Sequence, residues 1–243
     1  LVADFPRFEA RFGVDLATSF GGTEASGPIV RTPEVPLVAG SCGRLRRGYD
    51  VRLVDDHDIE VPDGQPGELI VRTDQPWMMS AGYLGDGDAT ARAWRNGWFH
   101  TGDALRRDPD GSYFFHDRLK DTLRRRGENI SSFEVEREVL AHAAVAEAAC
   151  VAVPSDQGTD DEVKVFVVLH DAASPAMEEL LRFLVDRMPY FMVPRYYEPI
   201  AALPKTPTMR VQKHALRRLG NGPACWDALA YGYKVTRDGL VRT

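Results

Sequence analysis

The stretch NGWFHTGDALRRDPDGSYFFHDRLKD, Asn96 to Asp121, decides how this chain is read. It sets Thr101-Gly102-Asp103 behind the aromatic pair Trp98-Phe99 and turns at Asp108-Pro109-Asp110-Gly111. Past a second aromatic run, Tyr113 to Phe115, it arrives at Asp117-Arg118-Leu119-Lys120-Asp121. Proline and glycine make DPDG, with VPDGQPG upstream, one of the two clearest hairpin-like turn signals in the chain. A carboxylate can accept from two vicinal hydroxyls and an arginine facing it can donate to the same sugar, which makes Asp103 and Arg118 candidate ribose ligands. Standing alone, Asp103 reads as a turn carboxylate and Arg118 as a surface charge.

The texture differs on the two sides of this stretch. Upstream, from about residue 40 to residue 116, short alternating segments (DVRLVD, GELIVRT, GSYFFHD) are separated by Gly, Pro and Asp clusters, the pattern of an all-β subdomain, expected to be barrel-like. Before it, residues 1 to 20 read as a short helix around Phe8 and Phe12, then an apolar run that stops at Gly21-Gly22. Downstream comes SSFEVEREVLAHAAV, a helix that Ser131 or Ser132 can cap, with an apolar stripe of Phe133, Val135, Val139 and Leu140. Two strands follow, AACVAVP and EVKVFVVLH, then the amphipathic helix AMEELLRFLVDRM, ended by Pro189, and a short strand at residues 196–200. This alternation predicts a compact α+β domain.

Bulk properties narrow the class. The 243 residues are enough to bury a core in one large or two modest domains, and 44% hydrophobic with 27% charged residues is ordinary globular composition. The formal charge of −6 offers nothing global to nucleic acid or an anionic membrane, so phosphate binding has to be local. Cys42, Cys150 and Cys225 are odd in number and far apart, against a disulfide framework or a zinc site, and a reducing, cytoplasmic setting is the simplest reading. No apolar run is long enough to span a bilayer.

A second candidate loop is SFGGTEASG, Ser19 to Gly27, where two glycines, the Thr23 hydroxyl and the Glu24 carboxylate follow a strand end. Hydroxyl plus carboxylate beside exposed backbone suits a phosphate and its magnesium ion. A glycine-rich turn of this kind is more often just a turn, and the GK[ST] ending of a P-loop is absent.

Together, FGGTE, GELIVR with MMSAGY, WFHTGD, DRLKDTLRRRGENISSFEVE and LPKTPTMRVQK, in this order from Phe20 to Lys213, resemble the adenylate-forming superfamily of acyl-CoA ligases, luciferases and peptide-synthetase adenylation domains. RRRGENISSFEVE and the tail CWDALAYGYKV look most like the carnitine/crotonobetaine-type acid-CoA ligases. The resemblance implies an α/β and α+β architecture. Residues 1–117 would be the C-terminal part of a large domain with the barrel-like subdomain at about 40–116. Residues 118–120 would form a hinge, and 121–243 a small mobile domain. It implies a cytoplasmic, AMP-forming acid-thiol ligase using ATP, Mg²⁺ and coenzyme A on a small-molecule carboxylic acid.

Residue by residue, the resemblance implies that Thr23 contacts phosphate oxygens, Glu24 holds the magnesium and Phe20 stacks on adenine, where relatives have tyrosine. Gly21 and Gly22 would border the acyl group, Asp103 and Arg118 hold the ribose, and Lys120 is the hinge residue. Gly127 would lie beside the pantetheine arm of CoA. Arg124, Arg125 and Arg126 either meet the nucleotide phosphates of CoA or form a solvated basic strand edge.

Two departures from the family pattern stand out. No Ser/Thr/Gly-rich loop ending in Pro-Lys precedes Leu1, so the resemblance implies a partial chain that needs an N-terminal portion carrying much of the acyl pocket. And where relatives carry Thr/Ser-Gly-Lys, whose lysine bridges carboxylate and phosphate oxygens during adenylation, this chain has Thr208-Met209-Arg210. Arg210 keeps the charge as a planar fork rather than a compact ammonium, and the glycine's loss matters if φ is positive there. The alternatives are a non-catalytic or adenylation-impaired nucleotide-binding homologue, or an enzyme loading a carrier-protein thiol.

Overall fold

The computed structural model describes residues 5–125, 127–155, 161–170 and 176–242. The chain divides into two compact units, Leu1–Leu119 and Lys120–Thr243.

The first unit opens with helix α1 (Phe5–Phe12) and is otherwise built on one seven-stranded sheet. Its strands are β1 (Thr18–Phe20), β2 (Ile29–Arg31), β3 (Ser41–Leu45), β4 (Asp50–Val54), β5 (Pro66–Arg72), β6 (Phe99–Arg107) and β7 (Tyr113–Arg118), with helix α2 (Gly87–Ala93) between β5 and β6. The order is β1-β2-β3-β7-β6-β5-β4, every pairing antiparallel. The sequence predicts a barrel-like subdomain here, and the sheet corrects that: it is open, with β1 and β4 as its two edges. Closure needs strands long enough to tilt and carry the ladder round to the starting edge, and β1 and β2 have three residues each. The inward side chains Ile29, Val51, Leu53, Leu69, Val71, Phe99 and Leu105 form this unit's core.

The second unit holds the hairpin of β8 (Leu123–Arg125) and β9 (Glu128–Ile130), helix α3 (Ser132–Leu140), long strands β10 (Val145–Pro154) and β11 (Asp161–Leu169), helix α4 (Met177–Val185), strand β12 (Tyr196–Pro199), helix α5 (Lys213–Leu219), strand β13 (Trp226–Asp227) and the hairpin of β14 (Tyr233–Thr236) with β15 (Gly239–Arg242). Ser131 is the cap chosen for α3, its hydroxyl accepting from the Glu134 amide at 3.1 Å. The sheet β10-β11-β12-β13 is mixed, with β11 and β12 parallel. Both of its faces are covered, which explains why β11 reads as a nearly continuous apolar run. Val163, Val165 and Val167 pack with Leu180, Leu181 and Leu184 of α4 and Val135 and Val139 of α3, while Phe166 packs with Leu203 and with Leu216 of α5. Each of the fully buried leucines contributes about 1.5–3 kcal/mol on removal from water. Lys164 interrupts the apolar run and is still 0% exposed, because its ammonium meets Glu198 Oε2 at 2.6 Å and the ring of Phe166 at 4.4 Å. Among the described residues no helix is long and apolar enough to cross a membrane.

Candidate active site

The glycine-rich loop after β1 is folded tightly on itself. Gly22 and Gly27 both donate their amides to the carbonyl of Ala25, at 3.2 and 2.8 Å. A Cβ on Gly21 would stand 2.5 Å from the Gly27 nitrogen and 2.7 Å from the Ala25 oxygen, so only glycine fits there. The MMSAGY segment lies alongside: Ser80 donates its amide to the Glu24 carbonyl at 2.9 Å, and the Tyr49 hydroxyl sits 3.0 Å from the Ser26 carbonyl and 2.9 Å from that of Met78.

These contacts set the side chain of Glu24. Its Oε1 accepts from the Tyr83 hydroxyl at 2.9 Å, and burial, with the hydrogen bond and charge of Glu24, raises the Tyr83 phenol so that it stays a donor. Oε2 lies on the other side, where a Cβ on Gly22 would come within 2.9 Å; the glycine therefore keeps that oxygen uncrowded. Thr23 is exposed beside it. Among the described residues no three His, Cys, Asp or Glu side chains gather as a metal cage. A single carboxylate with one oxygen left over suits magnesium, which is usually held by one or two carboxylates together with substrate phosphates.

Asp103 and Arg118 are brought together by irregularity in the sheet. Glu68 pairs with Ala104 and Ile70 with His100, so β6 advances four residues where β5 advances two, and Thr101-Gly102-Asp103 bulges from the ladder. Gly102 supplies the left-handed φ of 71° at the crest. Two side chains replace the lost ladder bonds: the Thr101 hydroxyl donates to the Leu69 carbonyl at 2.7 Å and accepts from the Asp103 amide at 3.1 Å, while Glu68 Oε1 accepts from the Gly102 amide at 3.0 Å. The bulge sets Asp103 opposite Arg118 of β7, with Oδ1 3.5 Å from Nε. Phe20, at the end of β1, is paired by ring contact with Phe115 of the same strand β7, centroids 6.1 Å apart.

In the second unit the positions separate. Lys120 is exposed in a short turn, Leu119–Asp121, and its carbonyl and the Asp121 carboxylate both accept from Arg217 of α5, at 3.0 and 2.5 Å. Gly127, at φ 81°, turns the β8–β9 hairpin with open space around it. Arg124 is exposed. Arg125 is buried; its guanidinium meets Glu162 at 2.7 Å and donates to the carbonyls of Phe191 and Val193. Arg126 lies outside the described residues.

Residues 205–211 form a tight hairpin. Lys205 and Val211 bridge, Thr206 donates its amide to the Arg210 carbonyl at 2.8 Å, and the Met209 amide donates back to the Thr206 carbonyl at 2.9 Å. Pro207 takes the second position of the turn and Met209 the fourth, at φ 64°. A glycine would be relaxed at this left-handed φ, so the methionine that stands where the resemblance implies glycine carries a backbone cost. Lys205 pairs with Glu147 at 2.5 Å and Lys213 with Glu136 at 2.7 Å. Arg210, paired with Thr206 at the base of the turn, has an exposed side chain.

Three of these positions have partners within their own unit that the sequence did not assign: Tyr83 beside Glu24 and Glu68 beside Gly102 in the first, and Arg217 beside Lys120 in the second. Tyr83 and Glu68 lie within MMSAGY and GELIVR, but nothing in their spacing names a partner.

Two family models match the chain, that of the AMP-binding enzymes over residues 3–84 and that of the AMP-binding enzyme C-terminal domain over residues 134–210. The chain belongs to the adenylate-forming acyl-CoA ligase superfamily. Within this superfamily it is 34% identical over 212 residues to a crotonobetaine/carnitine–CoA ligase of Escherichia coli, an alignment covering 86% of this chain and 41% of the relative. The chain thus spans well under half the length of the curated relatives it matches. Among solved adenylate-forming structures it is similar to an anthranilate CoA ligase in complex with anthranoyl-AMP, with TM-score 0.79 and 29% identity over 90% of this chain and 42% of that one. It is also similar to an amide bond synthetase from Marinactinospora thermotolerans, with TM-score 0.77 and 30% identity over 89% of this chain and 44% of that one.

Proposed function

We propose that this chain is part of an ATP-dependent carboxylic acid–CoA ligase of the crotonobetaine/carnitine type. The observation that carries the proposal is the Asp103–Arg118 pair, a carboxylate and a guanidinium 3.5 Å apart on adjacent strands of a superfamily member. A substrate carboxylate oxygen attacks the α-phosphorus of ATP and pyrophosphate leaves; the CoA sulfur then attacks the acyl carbonyl and AMP leaves. The obstacle in the first step is repulsion between two anions, so positioning and cationic donors supply most of the catalysis.

Asp103 and Arg118 hold the ribose, Phe20 flanks the adenine, and Gly21 and Gly22 leave room for the acyl group. Thr23 and the free oxygen of Glu24 face the phosphates; magnesium bound there would neutralise phosphate charge. Arg210 supplies a cation to the carboxylate and phosphate oxygens. The break between the units at Leu119/Lys120 supports a hinge at residues 118–120. In the thioester step Gly127 borders the pantetheine arm, and the contact to CoA phosphates falls to Arg124, because Arg125 is engaged inside its own unit.

The test is acid-dependent exchange of labelled pyrophosphate into ATP by the full-length gene product with Mg²⁺, across a panel of small carboxylic acids, followed by addition of CoA. Exchange with at least one acid and a CoA thioester product are expected. No exchange with any acid refutes the ligase reading, and exchange without thioester moves the acceptor to a carrier-protein thiol or another nucleophile.

A further inference from the structure

Beneath the Thr101-Gly102-Asp103 bulge lies a polar network that the proposed chemistry does not use. Glu68 is 7% exposed, and so is His100. One Glu68 oxygen accepts from the Gly102 amide at 3.0 Å; the other lies 2.8 Å from His100 Nδ1 and 3.3 Å from Arg95. Arg95 reaches Asp58 at the same 3.3 Å, and the Asn96 amide donates to the other Asp58 oxygen at 2.5 Å. Asp58 and Asn96 each hold a left-handed φ, 60° and 56°, without being glycine. Such backbone persists only where its surroundings over-determine it. A buried carboxylate with three donors around it is a rigid anchor, and its loss would leave those donors unsatisfied.

We propose that Glu68, held by His100 and Arg95, is a positioning residue for nucleotide binding: it fixes the Gly102 amide and thereby the angle at which Asp103 meets the ribose. The inference rests on the ribose reading of Asp103. Gly102 has no side chain to restrain it and a Cβ there would meet nothing within 4 Å, so packing does not set the crest of the bulge. The hydrogen bond that the Gly102 amide donates to Glu68 does. The backbone of Asp103 is then carried between that bond and the Thr101 hydroxyl.

The experiment is ATP saturation of pyrophosphate exchange by the full-length protein, with direct ATP binding by calorimetry, for Glu68→Ala, Glu68→Gln, Arg95→Ala, Asp103→Ala and the double variant Glu68→Ala/Asp103→Ala. Glu68→Ala is expected to raise the KM for ATP about tenfold with kcat nearly unchanged, because misplacement alone weakens binding. Glu68→Gln, which still offers the Gly102 amide an acceptor, should recover most of this. Arg95 is half exposed, so Arg95→Ala keeps the test readable should Glu68→Ala fail to fold, with a rise of a few-fold expected. In the Asp103→Ala background Glu68→Ala should add nothing, since the two act through one contact. A KM that stays put in Glu68→Ala and Arg95→Ala while Asp103→Ala raises it overturns the positioning role, as does an additive double variant. If Asp103→Ala itself leaves ATP affinity unchanged, the ribose reading fails first and takes this inference with it.

Discussion

The Thr101-Gly102-Asp103 bulge and the Lys205–Val211 hairpin each present one charge to the proposed chemistry, and they hold it in opposite ways. The bulge is fixed from below by partners far away in sequence, Glu68 and Leu69, and uses glycine where the backbone turns left-handed. The turn of the hairpin is held by local bonds between residues 206 and 210, backbone to backbone and through the Thr206 hydroxyl, and places methionine where glycine would be relaxed. A binding contact needs one geometry maintained throughout. A cation that serves a single step needs reach and exposure, and local hydrogen bonds suffice to carry it.

The contrast is broken most directly at Arg210. Arg210→Ala should lower pyrophosphate exchange by about 10²–10³-fold, the usual loss when a charge-stabilising donor is removed. Because the side chain is exposed, stability should change by no more than about 0.5 kcal/mol. Thioester formation from a synthetic acyl-adenylate should stay within about twofold of the unmodified protein, since removing a group used only in adenylation leaves the other step alone. An equal loss in both half-reactions would show Arg210 to be a general binding residue, and the division of labour between bulge and hairpin would collapse. Arg210→Lys sharpens the point: faster exchange marks arginine as a compromise, and slower exchange marks a site adapted to the planar fork.

A smaller effect is expected at Glu24, which resembles Asp103 in being held by a distant partner. Tyr83→Phe removes the donor to Glu24 Oε1 and leaves the ring packed edge-on against Trp94. One hydrogen bond of this kind is worth about 0.5–1.5 kcal/mol, so the magnesium concentration for half-maximal ATP binding should rise about 2–10-fold. Calorimetric titration at several magnesium concentrations reads this directly. An unshifted midpoint would mean that Glu24 is positioned by its backbone alone.

What could be read from the sequence follows the same division. Local features were legible: the DPDG turn, the Ser131 cap of α3 and the ending of the second helix before Pro189. Each depends on residues within a few positions of one another. The open sheet was not legible, because strand alternation is the same whether or not the last strand returns to the first. Glu68 and His100 stand 32 residues apart, and only the bulged register of β5 against β6 makes them neighbours. Lys164 interrupts a strand that otherwise reads as core; the Glu198 partner that lets it stay buried comes from parallel β12, a pairing no local pattern announces. Helix α5 and the tail strands were missed for want of a strong apolar period: α5 buries Leu216 alone.

The finest test is Met209→Gly. At φ 64° and 69% exposed, Met209 bears the cost of a left-handed L-residue without burying its side chain in exchange. That cost is about 1–2 kcal/mol, which glycine escapes. Glycine also gives the unfolded chain more freedom, worth about 0.4–1 kcal/mol in the other direction. The net gain should be about 0.5–1 kcal/mol, a rise of a few degrees in the melting temperature of the second unit, followed by calorimetry. Exchange activity should hold or rise, because the hydrogen bonds of the hairpin come from backbone atoms and Thr206, which the substitution leaves in place. A loss of activity together with the gain in stability would mean that methionine itself contributes to the site. The hairpin would then depend on the Met209 side chain, as the bulge depends on Glu68.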